Sequence, residues 1–343
     1  MRAIDTLILS DGRPGHYTLA EGIVAALARR REVHVRRLQV RRPRWLPARA
    51  LSLLINSGMR PELVLRNVYS LDPSHIGRPD IIVSAGGNTL AANVAAARLT
   101  GASNLFYGSL QRYRGEDFTL VLTSYAEQAT GANRLMTLKP SPLDPDTIAR
   151  PSGRPEREAG ARPGIAGLIV GGDAGTVRYA RADWKGLLAF VRECFEAWGT
   201  RWIVSNAPRT PAFVSDMLAE MSASDGAIAR FIDVRTAGPG TLGPLFAQSE
   251  VILCTGDSST MLSECVWLQR PVVAVTPRDW VLPANEASYR SWLAQKGWTR
   301  ELPIADLHPA DLLAALDAIK PLAINPLDAL AVQIEPLLPV LTD

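Results

Sequence analysis

Along this chain, short β-branched and aliphatic runs ending in Gly, Ser, Asn or Asp alternate with longer stretches whose apolar positions recur every three or four residues. "LILSDGRPGHYTLAEGIVAAL", residues 7–27, shows the pattern once: a buried strand, a polar corner, an amphipathic helix. Read along the first half, it predicts strands at 6–10, 32–40, 80–84 and 118–123, followed by helices at 17–30, 47–58 and 88–99 and a short helix after 123. Residues 140–163 interrupt the pattern with six prolines and no apolar period, the signature of a linker. Beyond it, strands are expected at 165–170, 201–205, 229–234, 251–254 and 271–275, with helices at 182–198, 210–223 and 259–268. The tail predicts a helix at 309–319 and, after Pro321 and Pro326, a short apolar helix that packs back across the domain boundary.

Strands alternating with helices of this length specify parallel sheets with crossover helices on both faces. Two such sheets give an α/β protein of two Rossmann-like domains facing a central cleft. The expected division is a first domain over 1–145, a linker over 146–163, a second domain over 164–320 and the tail 321–343. A chain of 343 residues accommodates that count, and its 47% hydrophobic and 21% charged residues are those of an ordinary globular protein. No apolar run approaches the ~20 residues of a membrane span. Arg2, Asp5 and Asp11 interrupt the stretch a signal peptide would need, so the expected location is cytoplasmic. Cys194, Cys254 and Cys265 lie in apolar contexts without metal-type spacing and read as reduced core thiols.

The net charge of +3 hides an asymmetry. Residues 1–163 carry 23 basic against 14 acidic side chains, and 164–343 carry 14 against 20. Eleven arginines fall between Arg29 and Arg66 with only Glu32 and Glu62 among them, interleaved with Trp45, Leu46, Leu51, Leu53, Leu54, Ile55 and Met59. Such a segment suits the interface of an anionic membrane, placing the protein peripherally on the inner face; a solvated basic surface is the alternative. No nucleic-acid-binding module accompanies it, and no nucleic-acid partner is expected.

Ligands of open parallel sheets bind at the carboxyl ends of the strands. Four corners carry chemistry there. The first holds Asp11, Arg13 and His16. The second, "SAGGNTLAAN" at 84–93, offers Gly86, Gly87 and Asn88, with Asn88 or Thr89 placed to cap the next helix. The third, "IVGGDAGTVRY" at 169–179, offers Gly171, Gly172, Asp173, Gly175 and Thr176. In the fourth, "CTGDSSTMLSE" at 254–264, Asp257 is followed by Ser258, Ser259 and Thr260 at a helix mouth suited to a diphosphate, and Glu264 one turn on suits ribose hydroxyls. Neither a dinucleotide fingerprint nor a P-loop is present, and His34, His75 and His308 lie apart, so neither a resident cofactor nor a metal site is expected.

These corners resemble the GT-B glycosyltransferases, in particular the peptidoglycan N-acetylglucosaminyltransferase type, with "GGDAGT" and "TGDSSTMLSE" in the places of its donor-site motifs. "SDGRPGH", "SAGGNT", "GGD", "SNAPRTP" and "TGDSSTMLSE" together resemble the mitochondrial-fission Elm family and its bacterial relatives over nearly the whole chain. The resemblance implies an acceptor-side first domain and a nucleotide-sugar donor domain second. It implies Gly171, Gly172, Asp173, Gly175 and Thr176 on sugar or phosphates, Ser258, Ser259 and Thr260 on the diphosphate and Glu264 on ribose, with Ser205 and Asn206 lining the same pocket. Asp173 and Asp257 depart from that type by placing carboxylates near a diphosphate. The expected activity is metal-independent, inverting transfer from a nucleoside diphosphate sugar, a UDP-sugar, to a lipid-linked or envelope-glycan acceptor. His16 or Asp11 is its base and Arg13 offsets leaving-group charge. A non-catalytic scaffold that recruits a protein partner or membrane through the Arg29–Arg66 surface is the alternative.

Overall fold

The computed structural model describes residues 2–43, 45–148, 157–224, 226–238, 241–278 and 280–342. The chain divides into two units, one of 1–143 with 326–343 and one of 144–325. Part of the expected linker, 149–156, lies outside the described residues.

In the first unit, strands β1 (Ile4–Ser10), β2 (Val33–Gln39), β3 (Ile81–Ala85), β4 (Ser103–Tyr107), β5 (Leu120–Thr123) and β6 (Arg134–Met136) form one parallel sheet in the order β2-β1-β3-β4-β5-β6. Helices Pro14–Ala28, Ala48–Asn56 and Leu90–Thr100 follow the expected ones closely. The first begins three residues early, because Pro14 occupies the first helical position, where its missing N–H costs nothing. That places His16 inside the first turn. β4 and β6 escaped the sequence pattern. β4 is five residues between glycine-bounded turns, and β6 is a three-residue edge.

The second unit holds β7 (Ile165–Ile169), β8 (Arg201–Ser205), β9 (Ile228–Ile232), β10 (Val251–Thr255), β11 (Val272–Thr276) and β12 (Thr299–Pro303), parallel throughout, in the order β12-β11-β10-β7-β8-β9. Helices Arg181–Trp198, Ala212–Ser224, Ser259–Trp267 and Pro309–Asp317 match their expected positions. β12 and helix Ala284–Gln295 were not expected; "ANEASYRSWLAQ" is too polar to show a helical stripe. Central strands β7, β10 and β11 are almost wholly buried, as sheets covered on both faces require.

The tail helix Pro326–Ile334 belongs to the first unit and packs on helix Pro14–Ala28, burying Leu327, Leu330, Ala331 and Ile334. Arg29 pairs with Asp328 at 2.7 Å, and Arg30 and Arg31 reach Glu335 at 3.0 and 3.3 Å. The three cysteines are free and buried, as their apolar contexts suggested.

Candidate functional site

In each sheet the winding of the chain reverses at one place, β1/β3 in the first and β7/β10 in the second. Loops leaving two such neighbouring strands diverge to opposite faces and leave a crevice at the strand ends. The first two chemical corners meet at one crevice and the third and fourth at the other.

At the β1/β3 end, the carboxylate of Asp11 lies 3.0 and 3.1 Å from Nδ1 of His16. Asn88 donates its Nδ2 to the same carboxylate at 3.0 Å, and the Arg13 amide donates at 3.2 Å. Burial of Asp11 raises its pKa, but the bonds from Asn88 and the Arg13 amide together with the neighbouring imidazole outweigh it, and the net shift is downward. Asp11 therefore stays ionised at neutral pH and only accepts, so Nδ1 of His16 carries the proton. The side chain of Asp11 is 2% exposed while that of His16 is 29% exposed, and Nε2 of His16 has no partner among the described residues. Gly86, at φ +86°, lies under the imidazole; a methyl group there would overlap the ring. Gly87 packs against the Gln111 amide in the same way. Arg13 is mostly exposed, its Nε 3.8 Å from Asp11.

Neither Asn88 nor Thr89 caps helix Leu90–Thr100, contrary to expectation. Asn88 is spent on Asp11, and the buried Thr89 hydroxyl donates to the carbonyls of Gly86 and Ala85.

At the β7/β10 end, the Gly171 amide donates to Thr255 Oγ1 at 2.7 Å, and that hydroxyl donates to Asp257 at 2.6 Å. The Asp257 side chain is fully buried and its carboxylate is neutralised by Arg209, through Nε at 2.8 Å and Nη2. Gly171 and Gly172 are small for packing reasons: a methyl on the first would strike the Asp257 carboxylate, and on the second the Arg209 carbonyl. Thr210 fixes the same loop by donating to the carbonyls of Val170 and Gly171 at 2.8 and 2.7 Å.

Ser258 caps helix Ser259–Trp267, accepting from the Met261 amide at 3.3 Å. The amides of Ser259 and Thr260 have no protein acceptor among the described residues, leaving the positive end of the helix open. The Ser259 hydroxyl does not face that opening; it is buried and donates to Glu286. Tyr289 shares a 2.5 Å hydrogen bond with Ser263, and Arg290 donates to the Gly256 carbonyl at 2.5 Å. Helix Ala284–Gln295 thus braces the helix mouth with three side chains. Glu264 has no hydrogen-bond partner among the described residues, and burial pushes its pKa up to about 7.

The remaining expected residues sort by burial. Asp173 is half-exposed and accepts from the Tyr179 amide at 3.0 Å; Gly175 turns with φ +55°, and the Thr176 hydroxyl donates to the Val281 carbonyl. Ser205 and Asn206 do not line a pocket. Both are buried, Ser205 donating to the Asn206 carbonyl at 3.1 Å and Asn206 to Ser215 and Asp233 at 2.9 and 2.8 Å. Arg209 was missed as a site residue, although "SNAPRTP" contains it. A cation four residues past a strand's carboxyl end was the available signal.

The basic segment separates into two sets. Arg29, Arg30 and Arg31 hold the tail helix, Arg37 pairs with Glu21 at 3.0 Å, and Arg36 and Arg42 donate to backbone carbonyls. Arg41 and Arg49 are exposed with no carboxylate partner among the described residues, Arg66 is exposed with Asp72 as the carboxylate its charge acts on, and Arg60 reaches Glu62 only at 4.0 Å. Trp45 (75% exposed), Leu53 and Leu63 are exposed between them, and Arg44 lies outside the described residues. No described helix is long and apolar enough to cross a membrane, and no described cluster of three His, Cys, Asp or Glu side chains is placed to hold a metal ion.

Two parallel sheets, each with a loop crevice at its reversal point, place the chain in the GT-B fold class, built from two Rossmann-like domains. Within that class, the chain belongs to the family described as mitochondrial fission ELM1, which it matches over residues 14–330. No curated protein matches it in sequence. Among solved structures it is similar to the UDP-GlcNAc 2-epimerase of Methanocaldococcus jannaschii, at 14% identity and a TM-score of 0.55, covering 98% of this chain and 99% of that one. S. aureus MnaA in complex with UDP gives 10% identity and 0.51 over 96% and 94%. The glycotransferase of kitacinnamycin gives 13% and 0.50 over 100% and 97%. At these identities the likeness establishes the fold.

Proposed function

We propose that this protein is a glycosyltransferase that moves a sugar from a nucleoside diphosphate donor, of the UDP class, to a hydroxyl of a lipid-linked or envelope-glycan acceptor. The second unit holds the donor. The diphosphate sits over the Ser259 and Thr260 amides, and Glu264 accepts from ribose hydroxyls. This is a backbone-led site, with the Ser259 hydroxyl serving the helix brace rather than the ligand. Similarity of fold to proteins named for UDP-GlcNAc and UDP supports the donor class.

The observation that carries the catalytic reading is the Asp11–His16 contact with Nε2 left free. Asp11 fixes the ring orientation and keeps the proton on Nδ1, so Nε2 is the basic atom. It takes the proton of the acceptor hydroxyl as that oxygen bonds the anomeric carbon. The bond from that carbon to the diphosphate oxygen breaks, its electron pair leaving with the nucleoside diphosphate, and the anomeric configuration inverts. The unpaired arginines with Trp45, Leu53 and Leu63 give a lipid-linked acceptor a peripheral membrane surface on which to be met.

The test is a panel of UDP-, ADP- and GDP-sugars with purified protein, read as nucleoside diphosphate release and as thermal shift. Release with a UDP-sugar, lost in His16→Ala, is the expected result. Silence in both channels for every donor points instead to a scaffold that recruits a partner through its basic surface.

A further inference from the structure

The Asp257–Arg209 pair poses an electrostatic problem. A fully buried carboxylate beside the open mouth of helix Ser259–Trp267 opposes any anion brought there. Its charge is met by one side chain. Arg209 uses Nε and Nη2 on a single carboxylate oxygen, Oδ2, while Oδ1 is satisfied by the Thr255 hydroxyl. A guanidinium presents five N–H donors in a rigid fork, and this pairing leaves Nη1 without a partner among the described residues. Arg209 is 40% exposed while its partner is fully buried, so the pair is anchored at one end and open at the other.

The backbone beneath it is equally fixed. The Arg209 carbonyl packs against Gly172, where a methyl group would overlap it, and Thr210 ties the next residue to the Val170 and Gly171 carbonyls. A surface arginine on a loose loop samples many rotamers. This one is held at the β7/β10 crevice by its carbonyl, its neighbour and its own head group.

We infer that Arg209 is the cation that binds the donor's diphosphate, with Asp257 as the positioning residue that holds the guanidinium in place and leaves Nη1 to the phosphate oxygens. This deepens the donor-site reading and rests on it. It also accounts for both the burial of Asp257 and its pairing, which the two glycines make possible by letting the loops close. Sequence reading gave charge compensation to Arg13; the second unit carries its own.

Calorimetric titration of the full-length protein with UDP and with uridine tests this, since only UDP carries the diphosphate. Wild type is expected to prefer UDP. Arg209→Gln should weaken UDP by about 10–100-fold, the range for charge-assisted hydrogen bonds, and leave uridine unchanged. Asp257→Asn should change UDP affinity less than Arg209→Gln does, because it unpins the guanidinium but also removes the carboxylate that opposes the anion. If the Gln variant fails to fold, Arg209→Lys carries the test, with a UDP loss of about 5–10-fold and uridine unchanged as the supporting result. Equal UDP affinity in wild type and in the folded variant overturns the role of Arg209 while leaving the donor site standing. Failure of the wild type to bind UDP, ADP or GDP overturns both.

Discussion

His16 Nδ1 lies 3.0 Å from the buried carboxylate of Asp11, and Asn88, from the neighbouring strand's loop, holds that carboxylate from the other side. Asp11 and Asn88 lie 77 positions apart in sequence and are joined because β1 and β3 are adjacent. General-base catalysis contributes typically 10²–10⁴-fold, so His16→Ala should lower turnover by about that factor with nucleotide affinity unchanged. Asp11→Asn removes the negative charge that fixes the ring's tautomer and turns half of the acceptor into a donor, and should cost nearly as much. Gly86→Ala, which pushes a methyl group into the imidazole, should lower turnover more than it lowers Tm. Steady-state kinetics alongside UDP titration of each variant checks the set.

Glu264 gives the site a proton linkage. Its carboxyl is pushed from 4.5 up to about 7 by burial, so at neutral pH it is part-protonated. Ribose hydroxyls donating to the carboxylate favour the ionised form. UDP binding near pH 7 should therefore release a fraction of a proton through Glu264, seen as a buffer-dependent binding enthalpy that Glu264→Gln reduces. The same displacement sets stability. The folded chain keeps a proton that the unfolded chain gives up, so the contribution is full below pH 4.5 and is lost as pH climbs through about 7. Wild-type Tm should fall relative to that of Glu264→Gln between about pH 5 and pH 8, as measured by calorimetry.

Much of this was legible in sequence, and the boundary is physical. Central strands such as β7 and β10 are buried on both faces, so their apolar runs announce themselves. Edge strands β6 and β12 and the polar helix Ala284–Gln295 carry no such period, and with them went Glu286 and Arg290, which brace the Ser259 corner. Asp11, His16, Asn88, Gly171, Gly172 and Asp257 stood out as corner residues. Their pairings did not. That Asn88 serves Asp11 and Arg209 serves Asp257 follows from strand order, which depends on which edge each crossover takes. Ser205 and Asn206 misled for the opposite reason: a polar pair at a strand end looks the same whether it faces a ligand or, as here, a buried network.

The tail helix should prove part of the first unit's fold. Ile334 and Leu330 are buried against helix Pro14–Ala28, and large-to-small changes at such sites cost about 2–5 kcal/mol. Ile334→Ala and Leu330→Ala should each lower denaturant stability by an amount in that range. Removal of 326–343 uncovers the helix face and frees Arg29, Arg30 and Arg31, and should yield an aggregating protein on size-exclusion chromatography.

The unpaired arginines predict a surface interaction. Vesicles of phosphatidylcholine with about one third phosphatidylglycerol should carry the protein in flotation, and vesicles of phosphatidylcholine alone should not. At about 1 kcal/mol for each arginine near an anionic surface, the double variant Arg41→Gln, Arg49→Gln should weaken partitioning at least tenfold. Raising salt to about 0.5 M should release the wild type, because screening shortens the reach of those charges.

A crystal structure of the protein grown with UDP tests the donor site most directly. Nucleotide is expected at the carboxyl ends of β7 and β10, its diphosphate over the Ser259 and Thr260 amides and its ribose against Glu264. Nucleotide bound elsewhere on the chain, or an empty crevice at millimolar UDP, contradicts that placement.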